Sequence, residues 1–197
     1  MACKTTKAMT EDQIETLKAV CLASRHPQRN YALVSMGIGG AMRIGELVSL
    51  NLDQVLDPKG RPKNIFTLRQ DQSKNGVGGQ VYLSKKAHKA LKDYVANIEV
   101  KDRKKPLFPS QKGGFMTSCY GSQLISKLMR KAQLGPEYSS HSFRKSWASK
   151  AVRQGLNPMV VSRGLRHGKG KGCLATTTQY VQLLGTEMEE AIAYLDI

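Results

Sequence analysis

The sequence predicts an α+β domain that is mainly helical, with one small antiparallel β-sheet made of a hairpin. Three observations carry this. Apolar residues recur at helical spacing in several segments bounded by capping residues. Only two short segments alternate apolar and polar residues instead. No internal repeat or linker-like stretch interrupts 197 residues, of which 40% are hydrophobic, so a single domain over 1–197 is the simplest organisation.

Taken in order, Thr10 and Gln13 form a T-x-x-Q capping box, and Ile14, Leu17, Cys21 and Leu22 follow at helical spacing. Residues 27–38 are apolar nearly all round, as in a buried helix, with Pro27 suited to the first turn. Gly39-Gly40 ends that helix, and a short amphipathic piece runs from Met42 to Leu50. The period then changes. Asn64–Arg69 and Gln80–Ser84 alternate and carry β-branched and aromatic residues, with a turn-rich tip containing Asn75-Gly76 between them. Ser84 caps a helix to about Asn97, with Leu91, Tyr94, Val95 and Ile98 on one side. After the charged connection 101–106, Thr117 caps 118–134, stopped by Gly135-Pro136. Ser140 caps 141–154, ended by Gly155, and Asn157-Pro158 starts another short helix. A flexible GKGKG run (168–172) precedes a helix over 174–184, and Thr186 with Glu189 caps a last helix.

Charge narrows the function. With 31 Lys+Arg against 15 Asp+Glu the net charge is +16, which points to a polyanion, nucleic acid first, ahead of a merely basic, soluble protein. No apolar stretch approaches the length of about 18 residues that a membrane span needs. Cys3, Cys21, Cys119 and Cys173 form no C-x-x-C pair and no zinc-spaced cluster with His, and no secretory signal precedes them. They read as reduced thiols of a cytoplasmic protein, with neither metal nor other cofactor.

Six side chains stand out as chemistry-bearing. His141 and Arg144 sit at i and i+3 near a helix start, where free backbone N–H groups suit an anion. Arg43 follows the Gly39-Gly40 turn, Lys74 lies on the hairpin tip, His167 precedes the Gly/Lys loop and Tyr180 follows it. Taken singly, each has a plain structural reading. Arg43 and Arg144 read as solvated charges, Lys74 as one lysine among many, His141 as a helix N-terminal residue and His167 as a helix-dipole partner. Tyr180 competes with six other tyrosines, of which Tyr31, Tyr82, Tyr94 and Tyr120 read as core or strand residues and Tyr194 as packed on the last helix.

Together, in this order, the segments resemble the tyrosine recombinases, or phage-type integrases. GGAMRIGELVSLNLDQV (39–55) is similar to their first box, SKNGVGGQVYLS (73–84) to their lysine-bearing hairpin, HSFRKSWASKAVRQGL (141–156) to their H-x-x-R box, and GLRHGKGKGCLATTTQY (164–180) to the segment ending in their nucleophilic Tyr. The resemblance runs from about residue 10 to the C-terminus. It implies the family's catalytic-domain fold and a site-specific DNA recombinase that cleaves and rejoins DNA. Arg43 and Arg144 would hold the scissile phosphate, Tyr180 would attack it to form a 3′-phosphotyrosine, and Lys74 would protonate the leaving 5′-oxygen. His141 would serve as base or orienting group, and His167 would hydrogen-bond the phosphate. Glu46 and Asp53 match acidic positions of the first box and are expected to be structural, pairing with or orienting basic groups.

The chain departs from the family pattern in three ways. The gap from His167 to Tyr180, 180 − 167 = 13 residues, is longer than usual, and the surplus resembles GKGKG, whose Lys169 and Lys171 are expected to touch DNA. Arg166 stands where many relatives have Gly before the His; its bulk either perturbs His167 or adds a phosphate contact. The first box begins at Gly39, so the usual N-terminal core-binding domain is expected to be absent. The expected partners are double-stranded DNA, further copies of the chain (dimer to tetramer on DNA) and accessory DNA-bending proteins, with no membrane. The acidic helix 186–197 is a candidate for exchange between protomers. Competing readings are a catalytically silent DNA-binding regulator on the same scaffold, a type IB topoisomerase, and an RNA-binding protein. The last is disfavoured by the lack of a stacking-aromatic motif.

Overall fold

In the computed structural model, residues 6–73, 76 and 78–166 are described. They form α1 (Glu11–Leu22), α2 (Pro27–Gly39), α3 (Ile44–Val48), α4 (Leu52–Val55), β1 (Ile65–Leu68), β2 (Gly79–Tyr82), α5 (Lys85–Val95), α6 (Ser118–Lys131), α7 (Ser140–Arg153) and α8 (Pro158–Gly164), with a 3-10 turn at Gln70–Gln72. The expected helices over 174–184 and 186–197 lie outside the described residues.

Helix α2 is the axis of the fold. Its all-round apolar sequence buries Ala32, Leu33, Val34 and Met36, and α1, α5 and α7 pack around it. Gly37 sets the closest approach: a Cβ there would lie 2.5 Å from the Phe143 ring of α7. The capping box of α1 forms in full, with Gln13 N–H donating to Thr10 Oγ1 at 3.3 Å and Thr10 N–H donating to Gln13 Oε1 at 3.0 Å. The main core runs from Leu17 and Leu33 through Leu47, Leu91 and Phe108 to Phe143. A second, smaller cluster joins Ala148, Ala151, Val161 and Leu165 of α7–α8 to Ala41, with Trp147 against it. This second cluster is the floor beneath the basic side chains described below.

The two strands pair antiparallel, Ile65 opposite Tyr82 and Leu68 opposite Gly79. The alternation points Phe66, Leu68 and Val81 inward and leaves Ile65 and Tyr82 exposed, as a half-buried hairpin requires.

Strand β2 ends at Tyr82 rather than Ser84 and α5 at Val95 rather than about Asn97, and two further boundaries differ from the sequence reading for a visible reason. Helix α6 stops at Lys131, not 134, because Gln133 adopts a left-handed φ of 58°. Leu134 N–H then closes the end on Met129 O at 3.0 Å, a Schellman-type finish that needs no glycine. Ser139 rather than Ser140 caps α7, accepting from His141 N–H. Cys21 is buried and Cys119 exposed, both free; burial pushes the Cys21 thiol up to about 12.

Candidate active site

The chain leaves α2 through a tight turn. Gly40 and Met42 N–H donate back to Met36 and Gly37 carbonyls, and Ala41 takes a left-handed φ of 49°. This turn aims the Ala41 carbonyl inward and delivers Arg43 to the start of α3. Glu46, one turn on, accepts from Arg43 twice: from the backbone N–H at 2.9 Å and from Nη1 at 2.8 Å. One carboxylate therefore caps the helix and orients the guanidinium. The Glu46 side chain is 1% exposed and that of Arg43 23%, so the pair reaches from the interior to the surface.

Helix α7 brings Arg144 to the same turn. Arg144 is buried, with Nη1 donating to Ala41 O at 2.7 Å and Nη2 to Leu165 O. His141, three residues earlier, is exposed in the first turn of α7. The spacing expected for one helix face thus yields one deep cation and one surface imidazole on a single helix end.

Arg166 is turned inward. Its Nη2 meets Glu46 Oε2 at 2.9 Å and Ala41 O at 2.8 Å, and its Nη1 donates to Gly164 O at 3.0 Å and Gly40 O at 3.3 Å. The side chain is 4% exposed and is turned to these protein oxygens, and the two roles read from sequence, a perturbation of His167 or a phosphate contact, both involve groups outside the described residues. Position 166 follows the C-cap of α8 and takes φ 51°, the left-handed step that commonly ends a helix. That step swings the side chain back under the turn.

Burial would push the Glu46 carboxyl up. The Arg166 charge and the Arg43 hydrogen bonds outweigh it and hold the group below its ordinary 4.5. Arg43 and Arg166 pair with this one carboxylate and Arg144 meets them at the Ala41 carbonyl, so among the described residues the guanidinium groups here outnumber the carboxylate, on a half-buried edge, which is the electrostatic setting for an anion. The expectation for Glu46, pairing with basic groups, is met by this geometry. Asp53 differs: it is exposed in the first turn of α4, and among the described residues no ion pair to it exists.

The base of the hairpin is tied to the same region by two amides that no sequence pattern marks. Buried Gln72 donates to Ser49 O at 2.6 Å and exchanges hydrogen bonds with Gln54, whose Nε2 also donates to Thr67 O. This clasp anchors the chain two residues before Lys74. Lys74, His167, Lys169, Lys171 and Tyr180 lie outside the described residues. Among the other tyrosines, Tyr94 is a core residue. Its hydroxyl donates to Leu107 O, and burial pushes its phenol up to about 12. Among the described residues no group of three or more His, Cys, Asp or Glu is placed to hold a metal ion, and no helix is long and apolar enough to cross a membrane.

Comparison with known families matches residues 7–186 to the phage integrase family. The chain belongs to that family. The match spans every segment that carries the sequence resemblance. Among individual relatives, the tyrosine recombinase XerD of Rickettsia bellii is 27% identical, covering 97% of this chain and 64% of the relative. XerC of Caldanaerobacter subterraneus is 26% identical, over 94% of this chain and 56% of the relative. Transposase A of transposon Tn554 from Staphylococcus aureus is 23% identical, over 90% and 51%. The chain thus spans about half to two thirds of the curated relatives it matches. The fold matches the crystal structure of XerA recombinase with a TM-score of 0.76 at 21% identity, over 100% of this chain and 66% of that one. It also matches the Tn1549 transposon integrase in complex with a circular intermediate DNA, with a TM-score of 0.72 at 19% identity, over 96% and 67%. The mainly helical catalytic-domain fold with a small hairpin, expected from sequence, is the fold found.

Proposed function

We propose that this chain is a site-specific DNA recombinase that breaks and rejoins double-stranded DNA through Tyr180. The observation that carries the reading is the convergence of Arg43 and Arg144 on one turn, Arg43 aimed by buried Glu46 and Arg144 by the Ala41 carbonyl. Two planar guanidinium forks suit the non-bridging oxygens of a phosphodiester and stabilise the charge that builds on them during attack. Being fixed before substrate arrives, they need little reorganisation during the reaction.

In this reading the Tyr180 Oη attacks phosphorus and the P–O5′ bond breaks. The phenol, mostly protonated at neutral pH, gives its proton to His141 or is oriented by it, and Lys74 gives a proton to the departing 5′-oxygen. His167 donates to the phosphate. The phosphotyrosine keeps the bond energy, so a 5′-hydroxyl of a second strand reseals it without ATP. The arginine forks supply the charge stabilisation that a metal ion gives other nucleases. Exposed lysines and the Lys169–Lys171 run provide a sequence-independent grip on the duplex, which weakens as salt rises. Double-stranded DNA is the substrate, several copies of the chain assemble on it with accessory DNA-bending proteins, and the acidic segment 186–197 docks on a neighbour. The recombinase relatives and the DNA complexes among the structural neighbours support this class of reaction, integration, excision or inversion of a mobile element, over supercoil relaxation.

The decisive experiment incubates the protein with a pool of nicked duplexes of randomised sequence and looks for a covalent protein–DNA adduct. The adduct is expected with the wild type and absent with Tyr180→Phe. DNA binding with no adduct from the wild type supports the silent regulator instead, and an adduct that survives Tyr180→Phe removes the assigned nucleophile.

A further inference from the structure

Arg166 is an unusual residue for its position. Its backbone is left-handed at φ 51°, a conformation that glycine adopts freely and a long side chain does not. Its guanidinium is buried, yet it makes four hydrogen bonds with oxygens on three separate stretches: Gly40 and Ala41 after α2, Glu46 in α3, and Gly164 at its own helix end. Its aliphatic stem runs beside β2, where a Cβ placed on Gly79 would lie 3.6 Å from Arg166 Cγ and Cδ. Arg166 also shares the Ala41 carbonyl with Arg144, and the Glu46 carboxylate with Arg43. Among the described residues its buried Nε has no hydrogen-bond partner, so the polar contacts described for the side chain are those of its fork. A left-handed backbone at a non-glycine residue persists where surrounding contacts over-determine it, and such outliers gather at functional sites.

We infer that Arg166 is a positioning residue: it locks Glu46 and the Ala41 carbonyl in place, and through them fixes the guanidinium groups of Arg43 and Arg144. The inference rests on the recombinase reading above for what those guanidinium groups do, but the contact itself is independent of that reading. The geometry gives each part a job. With Arg166 gone, Glu46 has, among the described residues, only Arg43 to neutralise it. It then swings to keep that partner, or takes a proton, and Arg43 loses a fixed acceptor. Because Arg166 also lies beside β2, the same side chain ties the end of α8 to the turn after α2, to α3 and to the second strand. A glycine at 166 relaxes the backbone and removes the lock.

The test uses the full chain and two readouts. The first needs no DNA: the Glu46 carboxyl is titrated by carbon-13 NMR in wild type, Arg166→Gly and Arg166→Lys. The Glu46 midpoint is expected to rise in Arg166→Gly and to rise less in Arg166→Lys, which keeps the charge but not the fork. An unchanged midpoint in a folded Arg166→Gly overturns the inference, and should that variant not fold, Arg166→Lys carries the same comparison. The second readout is the rate of covalent adduct formation, at saturating amounts of the nicked-duplex pool, beside affinity for that pool. Arg166→Gly is expected to slow adduct formation by about a hundredfold, the scale of a misplaced reactive group, with affinity little changed. In an Arg43→Lys background the same substitution is expected to cost far less, since the two act in one chain of contacts. Equal losses in both backgrounds overturn action through Arg43. A wild type that forms no adduct refutes the recombinase reading, and the Glu46 titration then decides the inference alone.

Discussion

The molecule buries arginine in two quite different ways. Arg29, in the first turn of α2, donates to Pro109 O and to Asn30 Oδ1, and Asn30 in turn donates to Ser24 Oγ. Every partner is neutral, and among the described residues no carboxylate pairs with Arg29. Burial pushes its guanidinium down from the ordinary value, only partly offset by Tyr120 and Tyr94. Its place at a helix N-terminus adds the unfavourable end of the dipole. Around Glu46, by contrast, two guanidinium groups share one carboxylate, and a third, that of Arg144, joins them at the Ala41 carbonyl. The first arrangement satisfies a cation to tie a helix to the loop at Pro109. The second concentrates more positive charge than its carboxylate cancels and keeps one guanidinium, that of Arg43, partly open to solvent. The difference teaches that burial alone does not tell two arginine sites apart; the ratio of cations to anions around them does.

Three measurements sharpen or break that contrast. The largest effect is expected for Glu46→Ala, which leaves buried Arg166 and half-buried Arg43 without their carboxylate. Loss of one member of a buried pair costs about 3–5 kcal/mol, read as a lower midpoint in urea unfolding. A loss under about 1 kcal/mol would put the cluster on the same footing as a surface pair. Next comes Arg29→Met, which keeps the length of the side chain but leaves the Pro109 carbonyl and Asn30 without their donor. The expected cost is about 1–3 kcal/mol, with adduct formation per folded molecule unchanged. A selective fall in adduct formation would show that the N-terminal end of α2 also serves the site.

The smallest effect is in acid. Glu46 titrates below its ordinary 4.5 in the folded chain, so its contribution to stability is complete above that value and is lost as pH falls through the folded midpoint. Glu46→Gln is expected to flatten the acid limb of the stability–pH curve, while Arg29→Met leaves its shape alone. Glu11, Glu15 and Asp57 are also lowered, by hydrogen bonds from Lys150, Lys18 and the Arg61 backbone, and these keep a residual slope in every variant.

What the sequence makes legible here is local. The Thr10–Gln13 box, the Ser84 and Thr117 caps and the Asn157-Pro158 start are signals contained within four residues, and each forms as read. The α7 cap falls one residue early because serines at 139, 140 and 142 offer competing hydroxyls. The α6 end is misplaced because Gln133, not glycine, takes the left-handed step. In the candidate site, Arg43 with Glu46 is an i, i+3 relation and can be anticipated. The inward course of Arg166 cannot, because it depends on where a left-handed backbone aims a side chain and on a turn 126 residues away in sequence. Gln54 and Gln72 are silent for the same reason: their partnership exists only once the hairpin has folded onto α4.

The shared acceptor at Ala41 has an evolutionary corollary. No substitution deletes a main-chain carbonyl, so the anchor for Arg144 and Arg166 is immune to drift in residue identity at that position. What inheritance must preserve is a torsion angle, φ 49°, which glycine and asparagine reach readily and β-branched residues resist. A lineage is therefore free to change the letter at 41 within that small alphabet while the oxygen that both arginines grasp stays where it is.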